Sequence, residues 1–238
     1  MILKHTECEV RAMKEQWRAE LKYTVGTAES RMLAARMAAF MERDIHGGKT
    51  GYLVRSLYFD NFYNKALREK LDGVGVREKF RIRCYDSNFG FIRLEKKSKR
   101  YNAGNKTQCR VTAEETKRIL DGDIGWMAED ERALVRELYL RMQMGIYRPT
   151  VIVDYDREAL TYAPGNVRVT FDRRIRGCHQ PQLFFSENLP SIPAISPDRV
   201  VMEVKYDDYL PDIVNRTLLT VKTKEQAFSK YAACRIMC

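Results

Sequence analysis

The sequence predicts an α+β fold in which eight antiparallel strands close into a barrel, with helices packed on the outside. Eight segments show the alternation of apolar and polar residues that is typical of strands, and helix-like segments separate them into two groups. Helices that cover the apolar strand faces would leave the opposite faces to line the barrel. The predicted strands are residues 17–25, 52–60, 76–86, 90–98, 105–112, 150–158, 167–176 and 199–206.

Helical periods and chain breakers account for the segments between these strands. Thr112 and Glu115 have the spacing of a capping box, which predicts a helix start, and residues 46–48 (His-Gly-Gly) end an earlier helix. Residues 180–197 carry four of the seven prolines and are predicted to form a loop. Besides the helix that Thr112 caps, the predicted helices are residues 27–43, 61–71, 129–144, 207–219 and 224–236.

Size and charge narrow the functional class. A chain of 238 residues with 45% apolar content can bury a sizeable core, and no segment resembles an interdomain linker. The net charge of +10 points to a polyanionic partner, such as nucleic acid, phosphates or an anionic membrane surface. No apolar run resembles a secretory signal or a membrane span, and the six cysteines lack CxxC spacing. We therefore expect a cytoplasmic protein with reduced thiols and no membrane segment.

Six of the predicted strands combine an apolar face with a face rich in lysine and arginine. Side chains alternate along a strand, so residues two apart share a face. In one strand Lys79, Arg81 and Arg83 lie opposite Phe80 and Ile82. Ordinary solvated faces mix several polar residue types, whereas these faces repeat cations with isolated acids. The remaining charged residues of these faces are Arg18, Glu20, Lys22, Arg93, Glu95, Lys97, Lys106, Arg110, Arg168, Asp172, Glu203 and Lys205.

These cationic faces favour a barrel interior that binds phosphates. A solvated sheet face would explain any one strand, but six such strands together favour a closed barrel with a basic lining. An eight-stranded barrel can be wide enough for a small ligand. Because many like charges in one cavity repel strongly, the cavity needs an anion, ordered water or the few glutamates as compensation. A chain of phosphates fits, since arginine and lysine both recognise phosphate oxygens.

The glutamates Glu20, Glu95 and Glu203 interrupt the cationic faces and allow two interpretations. Each could simply pair with neighbouring lysines and arginines. Alternatively, one or two could hold Mg²⁺ or Mn²⁺, which commonly bind through one or two carboxylates plus substrate phosphates. Metal and fixed cations would then stabilise the charge on a transferring phosphoryl group. The sequence has no GxxxxGK[ST] or GxGxxG motif, and its three histidines fall in predicted tails or loops, so histidine catalysis is not expected.

A series of short motifs resembles one known family. Together and in this order they resemble the VTC domain, the polyphosphate polymerase domain of the vacuolar transporter chaperone complex, and especially its stand-alone bacterial relatives. That family belongs to the triphosphate tunnel metalloenzymes, also called CYTH-like. The resemblance extends over residues 17–232 and implies a single domain spanning 1–238. The motifs are R-x-E-x-K-Y at 18–23, S-L-Y-F-D at 56–60, R-E-K-L-D-G at 68–73, K-x-R-x-R-x-Y at 79–85, L-E-x-K at 94–97, E-V-K-Y-D-x-Y-L-P at 203–211 and S-K-Y at 229–231.

The resemblance implies a β-tunnel enzyme that adds the terminal phosphate of ATP to a growing polyphosphate. Glu203 matches the family's metal-binding glutamate, which takes Mn²⁺ or Mg²⁺, and Glu20 and Glu95 are further candidate ligands. Tyr155 shares a face with Arg157. The catalytic candidates are Arg81, Arg83, Lys97 and Lys22. The phosphate-binding candidates are Arg18, Lys79, Lys106, Arg157, Arg168, Lys205 and Lys230.

One departure from the superfamily favours synthesis over hydrolysis. Its hydrolytic members begin with E-x-E-x-K, whereas Arg18 stands here in place of the first glutamate. A tripolyphosphatase or nucleoside triphosphatase, and a non-catalytic module that binds polyphosphate or RNA, remain as alternatives. Nucleic acid is not expected as a partner, because Phe80, Phe91 and Phe171 are predicted on apolar faces and not among the basic residues. Coupling of synthesis to translocation would require a separate membrane protein.

Overall fold

The computed structural model describes residues 18–44, 51–100, 103–221 and 225–237. Its strands are β1 (Ala19–Gly26), β2 (Glu42–Arg43), β3 (Tyr52–Asp60), β4 (Val76–Tyr85), β5 (Ile92–Arg100), β6 (Ala103–Val111), β7 (Arg148–Tyr162), β8 (Val167–Cys178), β9 (Ile192–Pro193) and β10 (Arg199–Tyr206). Its helices are α1 (Thr27–Met37), α2 (Lys65–Leu71), α3 (Ala113–Leu120), α4 (Ala133–Met144), α5 (Asp212–Leu218) and α6 (Lys230–Ile236).

All strands belong to one antiparallel sheet, which curls into an open half-barrel. The order along the sheet is β1-β10-β8-β7-β3-β4-β5-β6, with β2 added to β7 and β9 added to β8. The eight long strands confirm the α+β prediction. The predicted closure is not confirmed, because β1 and β6 are the two edges and do not pair within the described residues. Part of the β1 edge is occupied instead, since the Gln226 N–H donates to the Lys22 carbonyl oxygen at 2.9 Å.

Local hydrogen bonds explain where helices differ from the predicted boundaries. The helix predicted for 27–43 ends at Met37, and Glu42–Arg43 pairs with β7 as a short strand. The helix predicted for 61–71 begins only at Lys65, because the Asp60 carboxylate accepts the Ala66 N–H at 2.8 Å and holds the preceding turn. Strand pairing thus takes the last residues predicted for the first helix, and a side chain sets the start of the second. The apolar period alone shows neither boundary.

The predicted loop 180–197 contains ordered structure. It includes a 3-10 helix at Pro181–Phe185 and the short strand β9. Arg55 lies under it, donating to the Phe184 carbonyl oxygen at 2.9 Å and forming a buried ion pair with Asp154 at 2.9 Å. A buried guanidinium needs several acceptors, and the loop carbonyls provide them.

Two apolar cores cover the convex side of the sheet, and a third lies on the concave side. Helices α3 and α4 pack on β3 to β6, whereas α1 and α5 pack on β1, β8 and β10. The concave core joins β3 and β7 to α2 and α6, with Tyr155 and Tyr231 fully buried. Helices α1, α3, α4 and α5 therefore cover the outside as predicted, whereas α2 and α6 pack on the concave side. Helix α6 brings Lys230 into the half-barrel.

Some predictions concern residues outside the described ranges. These include Trp17, His5, His46, Cys8, Cys238 and Lys224. Within the described ranges, Cys84, Cys109, Cys178 and Cys234 are free thiols. Within the described ranges, every helix is too short or too polar to span a bilayer.

Candidate functional site

The inward side chains of β4, β5 and β6, which we call the basic wall, form a grid of cations. The strand register places three residues side by side in each of four rows, and directly opposite side chains have Cβ atoms about 5 Å apart. Of these twelve positions, nine are lysine or arginine and one is a carboxylate. The rows are Arg83, Arg93 and Arg110; Arg81, Glu95 and Gln108; Lys79, Lys97 and Lys106; and Arg77, Lys99 and Gly104.

Glu95 is the carboxylate of this grid and contacts cations on both sides. Its side chain is 2% exposed, and it pairs with Arg81 at 2.6 Å and with Lys106 at 3.5 Å. Arg83 lies 4.0 Å away. Burial opposes ionisation, but these three cations outweigh it and lower the pKa of Glu95 to about 2. Glu95 is therefore ionised at neutral pH and partly offsets the repulsion within the grid.

Side chains of β3 and β7 fix the two central arginines of the basic wall. Arg81 donates to the Tyr58 hydroxyl at 2.9 Å, and Arg83 donates to the Ser56 hydroxyl at 2.9 Å. Arg83 also donates to the Tyr155 hydroxyl at 3.1 Å. These contacts hold both guanidinium groups in place before any anion arrives, which reduces the reorganisation needed on binding.

The facing side of the half-barrel, formed by β1, β8, β10 and Lys230 of α6, is called the mixed wall because it alternates acids and bases. Glu20 lies 3.3 Å from Lys22, 3.4 Å from Lys97 and 3.5 Å from Lys205. Burial raises the pKa of Glu20, but these lysines outweigh that effect and lower the pKa to about 2. Because Lys97 comes from β5, its contact with Glu20 links the basic wall to the mixed wall.

A second group of the mixed wall surrounds Lys230. Its ammonium lies 2.6 Å from Asp172 and 2.8 Å from Glu203, and Asp172 also accepts two 2.7 Å hydrogen bonds from Arg157. Asp172 is fully buried. Burial opposes the charge on Glu203, but Lys230, Lys205 and further cations keep the pKa of Glu203 well below its ordinary value. The acids of the mixed wall are thus ionised and paired.

The predicted metal ligands do not form one group. Among the described residues, no three histidine, cysteine, aspartate or glutamate side chains lie close enough to hold a metal ion. Glu95 belongs to the basic wall. Glu20 and Glu203 lie diagonally across the β1–β10 pair, because Glu20 is opposite Lys205 and Glu203 is opposite Lys22. Two ionised carboxylates fit Mg²⁺ or Mn²⁺ that is shared with substrate phosphates, but not a site made by protein ligands alone.

The remaining predicted phosphate ligands occupy different places. Lys79 lies 4.8 Å from the Tyr231 ring, and burial followed by Arg77 and Lys70 lowers its pKa to about 7. Arg168 lies 2.7 Å from Asp44, and Arg18 lies 2.8 Å from Asp207. The structure therefore brings Lys79 into the grid, whereas Arg18 is engaged at the end of β10.

One sequence prediction about aromatic residues is wrong. Phe91 was expected on an apolar face, but its ring lies 4.6 Å from the Arg93 guanidinium and 5.2 Å from that of Arg110. Sequence reasoning also missed the roles of Ser56 and Tyr58. Their period-two spacing in β3 could have indicated them, but the strand is almost uniformly buried and its inner face is not marked by charge.

Comparison with known proteins identifies both sequence and fold relationships. The model of the VTC domain family matches residues 17–237. A search of curated proteins gives no match. A Vibrio parahaemolyticus protein, provisionally named an adenylate cyclase, has a similar X-ray structure with a TM-score of 0.51 at 10% identity, covering 93% of this chain and 99% of that one. A Bacillus halodurans protein with the same provisional name gives a TM-score of 0.49 at 12% identity, covering 85% and 88%.

Proposed function

The chain belongs to the VTC domain family, and we propose that it is a metal-dependent phosphotransferase that makes inorganic polyphosphate from the terminal phosphate of ATP. The Vibrio parahaemolyticus structure shares its fold, which is consistent with the triphosphate tunnel superfamily. The observation that carries the proposal is the basic wall, in which nine cations and one carboxylate occupy twelve inward positions. A chain of phosphates has the charge density to neutralise such a wall.

The fixed arginines would act on the transferring phosphate. In the proposed step, an oxygen of the terminal phosphate of polyphosphate attacks the γ-phosphorus of ATP. The bond from that phosphorus to the β–γ bridging oxygen breaks, and ADP leaves. Arg81 and Arg83 are already held by Tyr58, Ser56 and Tyr155, so they can stabilise the shared negative charge with little rearrangement.

The charge state of the acceptor favours transfer over hydrolysis. A terminal phosphate has a second pKa near ~6, so its oxygens are mostly deprotonated at neutral pH and need no general base. Water as a nucleophile benefits from a base that positions it. The acids Glu20, Glu95, Asp172 and Glu203 are each held in ion pairs with cations. That arrangement supports a transferase more than a triphosphatase.

The metal would belong to the mixed wall. Glu203 and Glu20 are the residues that fit Mn²⁺ or Mg²⁺, jointly with the substrate phosphates. A bound divalent cation would supply further neutralisation of charge on the phosphoryl oxygens. Lys230 and Lys22 lie beside these carboxylates and would orient them.

The direct test is product analysis with ATP and Mn²⁺. We expect long polyphosphate on a stained gel, with ADP formed in proportion to polymer and little free phosphate. Free phosphate without polymer would identify a triphosphatase, and neither product would leave a binding module.

Two adjacent lysines give a matched test of the site. Lys97 faces inward, whereas Lys96 faces outward and pairs with Glu137 at 2.6 Å. We expect Lys97→Ala to lower kcat/KM about 10- to 100-fold, the effect of losing one charge-assisted hydrogen bond. Lys96→Ala should leave kcat/KM within about 2-fold, because this half-buried ion pair lies on the other face of the sheet, away from the site. Equal effects of the two variants would refute the inward assignment.

A further inference from the structure

The basic wall continues beyond the residues assigned above. In the last row of the grid, Arg77 of β4 lies directly opposite Lys99 of β5, beside the Lys79–Lys97 pair of the next row. Directly opposite like charges in a sheet are destabilising, and here two successive rows carry them. Among the described residues, neither Arg77 nor Lys99 forms an ion pair, although Arg77 donates one hydrogen bond to the Val74 carbonyl oxygen at 2.6 Å.

Helix α2 adds a third cation at the same place. Helix α2 packs against β4, the strand that carries Arg77. Burial followed by Arg77, Lys22 and Lys99 lowers the pKa of Lys70. Burial and then Arg77, Lys22 and Lys97 likewise lower the pKa of Lys99. Three secondary-structure elements therefore converge on one strongly positive region at the end of the half-barrel. Half-buried cations that repel each other form a binding site for a polyanion.

We propose that Lys70, Arg77 and Lys99, here called the outer cation cluster, bind the part of a polyphosphate chain that extends beyond the reacting phosphates. The proposal rests on the proposed function. The rows of Arg81 and Arg77 are four residues apart along β4, which corresponds to roughly 13 Å of strand. That distance exceeds the length of a triphosphate group. Triphosphate bound at Arg81 and Arg83 would therefore not reach the outer cation cluster, whereas a long chain would.

The composition of the cluster favours inorganic polyphosphate over single-stranded nucleic acid. Proteins that bind single strands combine a basic groove with aromatic side chains on which bases stack. The two lysine-rich rows consist of Lys79, Lys97, Lys106, Arg77, Lys99 and Gly104, without an aromatic side chain among them. Among the described residues, these two rows thus present repeated cations to phosphates and no aromatic ring on which a base could stack.

The test compares long-chain polyphosphate with tripolyphosphate in direct binding measurements, without nucleotide or metal. We expect Arg77→Gln with Lys99→Gln to weaken the binding of long polyphosphate about 10- to 100-fold and that of tripolyphosphate less than about 2-fold. A matched control, Arg100→Gln with Lys117→Gln, removes the same charge from exposed positions outside the grid and should weaken neither ligand selectively.

Each outcome decides the proposal. Equal losses for both ligands, or no loss for either, would overturn it. If the double variant does not fold, Lys70→Gln alone should show a smaller selective loss for the long chain, and an unselective loss would again refute the cluster. Single-stranded RNA that bound as tightly as polyphosphate, with the same loss in the variant, would refute the ligand class. These binding measurements use no ATP. A protein that makes no polymer could therefore still show the selective loss of long-chain binding, so failure of the proposed function and failure of this proposal are distinguishable.

Discussion

The two walls of the half-barrel use the same alternating strands but differ in how their charge is balanced. In the basic wall, Glu95 is the one carboxylate beside nine cations and lies within 4.0 Å of Arg81, Arg83 and Lys106. In the mixed wall, Glu20, Asp172 and Glu203 each contact at least one lysine at 3.5 Å or less. The mixed wall therefore balances each of its acids internally, whereas the basic wall keeps an excess of cations that the proposed polyphosphate would offset. This difference separates a phosphate-binding surface from the surface that can offer carboxylates to a metal.

The short helix α6 makes this balance possible. Lys230 brings the cation that joins Asp172 to Glu203, and the neighbouring Tyr231 hydroxyl donates to the Asp60 carboxylate. The Tyr231 ring also packs on Tyr58, with ring centroids 5.1 Å apart. Since Tyr58 in turn accepts a hydrogen bond from Arg81, α6 supports both walls at once.

The largest effect on stability is expected where the mixed wall is most deeply buried. Asp172→Ala would leave Arg157 without its bidentate partner and Lys230 with Glu203 alone. Removing one partner of a buried ion pair costs about 3–5 kcal/mol, which corresponds to a fall in Tm of roughly 6–20 °C for a chain of this size. Thermal unfolding measures this change.

The control for this variant is an aspartate at the surface. Asp123 pairs with Arg118, but its side chain is 57% exposed. Asp123→Ala should change the free energy of unfolding by less than about 1 kcal/mol. If Asp172→Ala were equally mild, the charges of Arg157 and Lys230 would have to be hydrated, and the mixed wall would not be balanced internally.

Much of this contrast could be predicted from the sequence, because it depends on strand periodicity. The inward positions of Lys79, Arg81, Arg83 and Lys97 follow from alternation alone, and the basic grid was expected as a face. The register between strands could not be predicted, because pairing depends on packing along the whole sheet. Only the register shows that Arg77 faces Lys99.

Other features depend on contacts between residues far apart in the chain. The pairing of Lys97 with Glu20 joins strands β5 and β1, which are not neighbours in the sheet. The predicted closure of the barrel, between the edges β1 and β6, is not confirmed. Lys230 was expected in the basic lining, but its position between Asp172 and Glu203 depends on how α6 enters the half-barrel. Alternation within a strand carries no information about such contacts.

A smaller loss of stability, together with tighter polyphosphate binding, is expected in the basic wall. Glu95→Gln keeps a hydrogen-bond acceptor for Arg81 but removes the charge that offsets Arg81, Arg83 and Lys106. We expect the free energy of unfolding to fall by about 1–3 kcal/mol without anion. Long polyphosphate should then bind about 10-fold more tightly, and it should raise the Tm more than in the unsubstituted chain.

An outward glutamate provides the comparison for Glu95. Glu137 pairs with Lys96 on the other face of the sheet, and Glu137→Gln removes the same charge there. It should change neither stability nor polyphosphate affinity appreciably. Weaker polyphosphate binding by Glu95→Gln would show that Glu95 serves mainly to position Arg81, and that charge balance is not its main role.

The smallest effect is a pH dependence to which each wall contributes one lysine. In the basic wall, burial and then Arg77 and Lys70 lower the pKa of Lys79 to about 7, and Asp60 opposes this shift. In the mixed wall, burial lowers the pKa of Lys205 to about 8, although Glu203 and Glu20 oppose it. Both lysines are therefore partly neutral at pH 8 in the absence of ligand.

Polyphosphate should raise both pKa values, because its charge favours the protonated forms, and binding should then take up protons. At pH 8 the uptake should be about one to one and a half protons per binding event, and affinity should fall as pH rises from 7 towards 9. Calorimetry at pH 8 in buffers of different ionisation enthalpy measures this number. Lys79→Arg should remove the larger part and Lys205→Arg the smaller part, since arginine stays protonated. Proton release on binding, or proton uptake that is unchanged in both variants, would show that neither Lys79 nor Lys205 is partly neutral in the free protein.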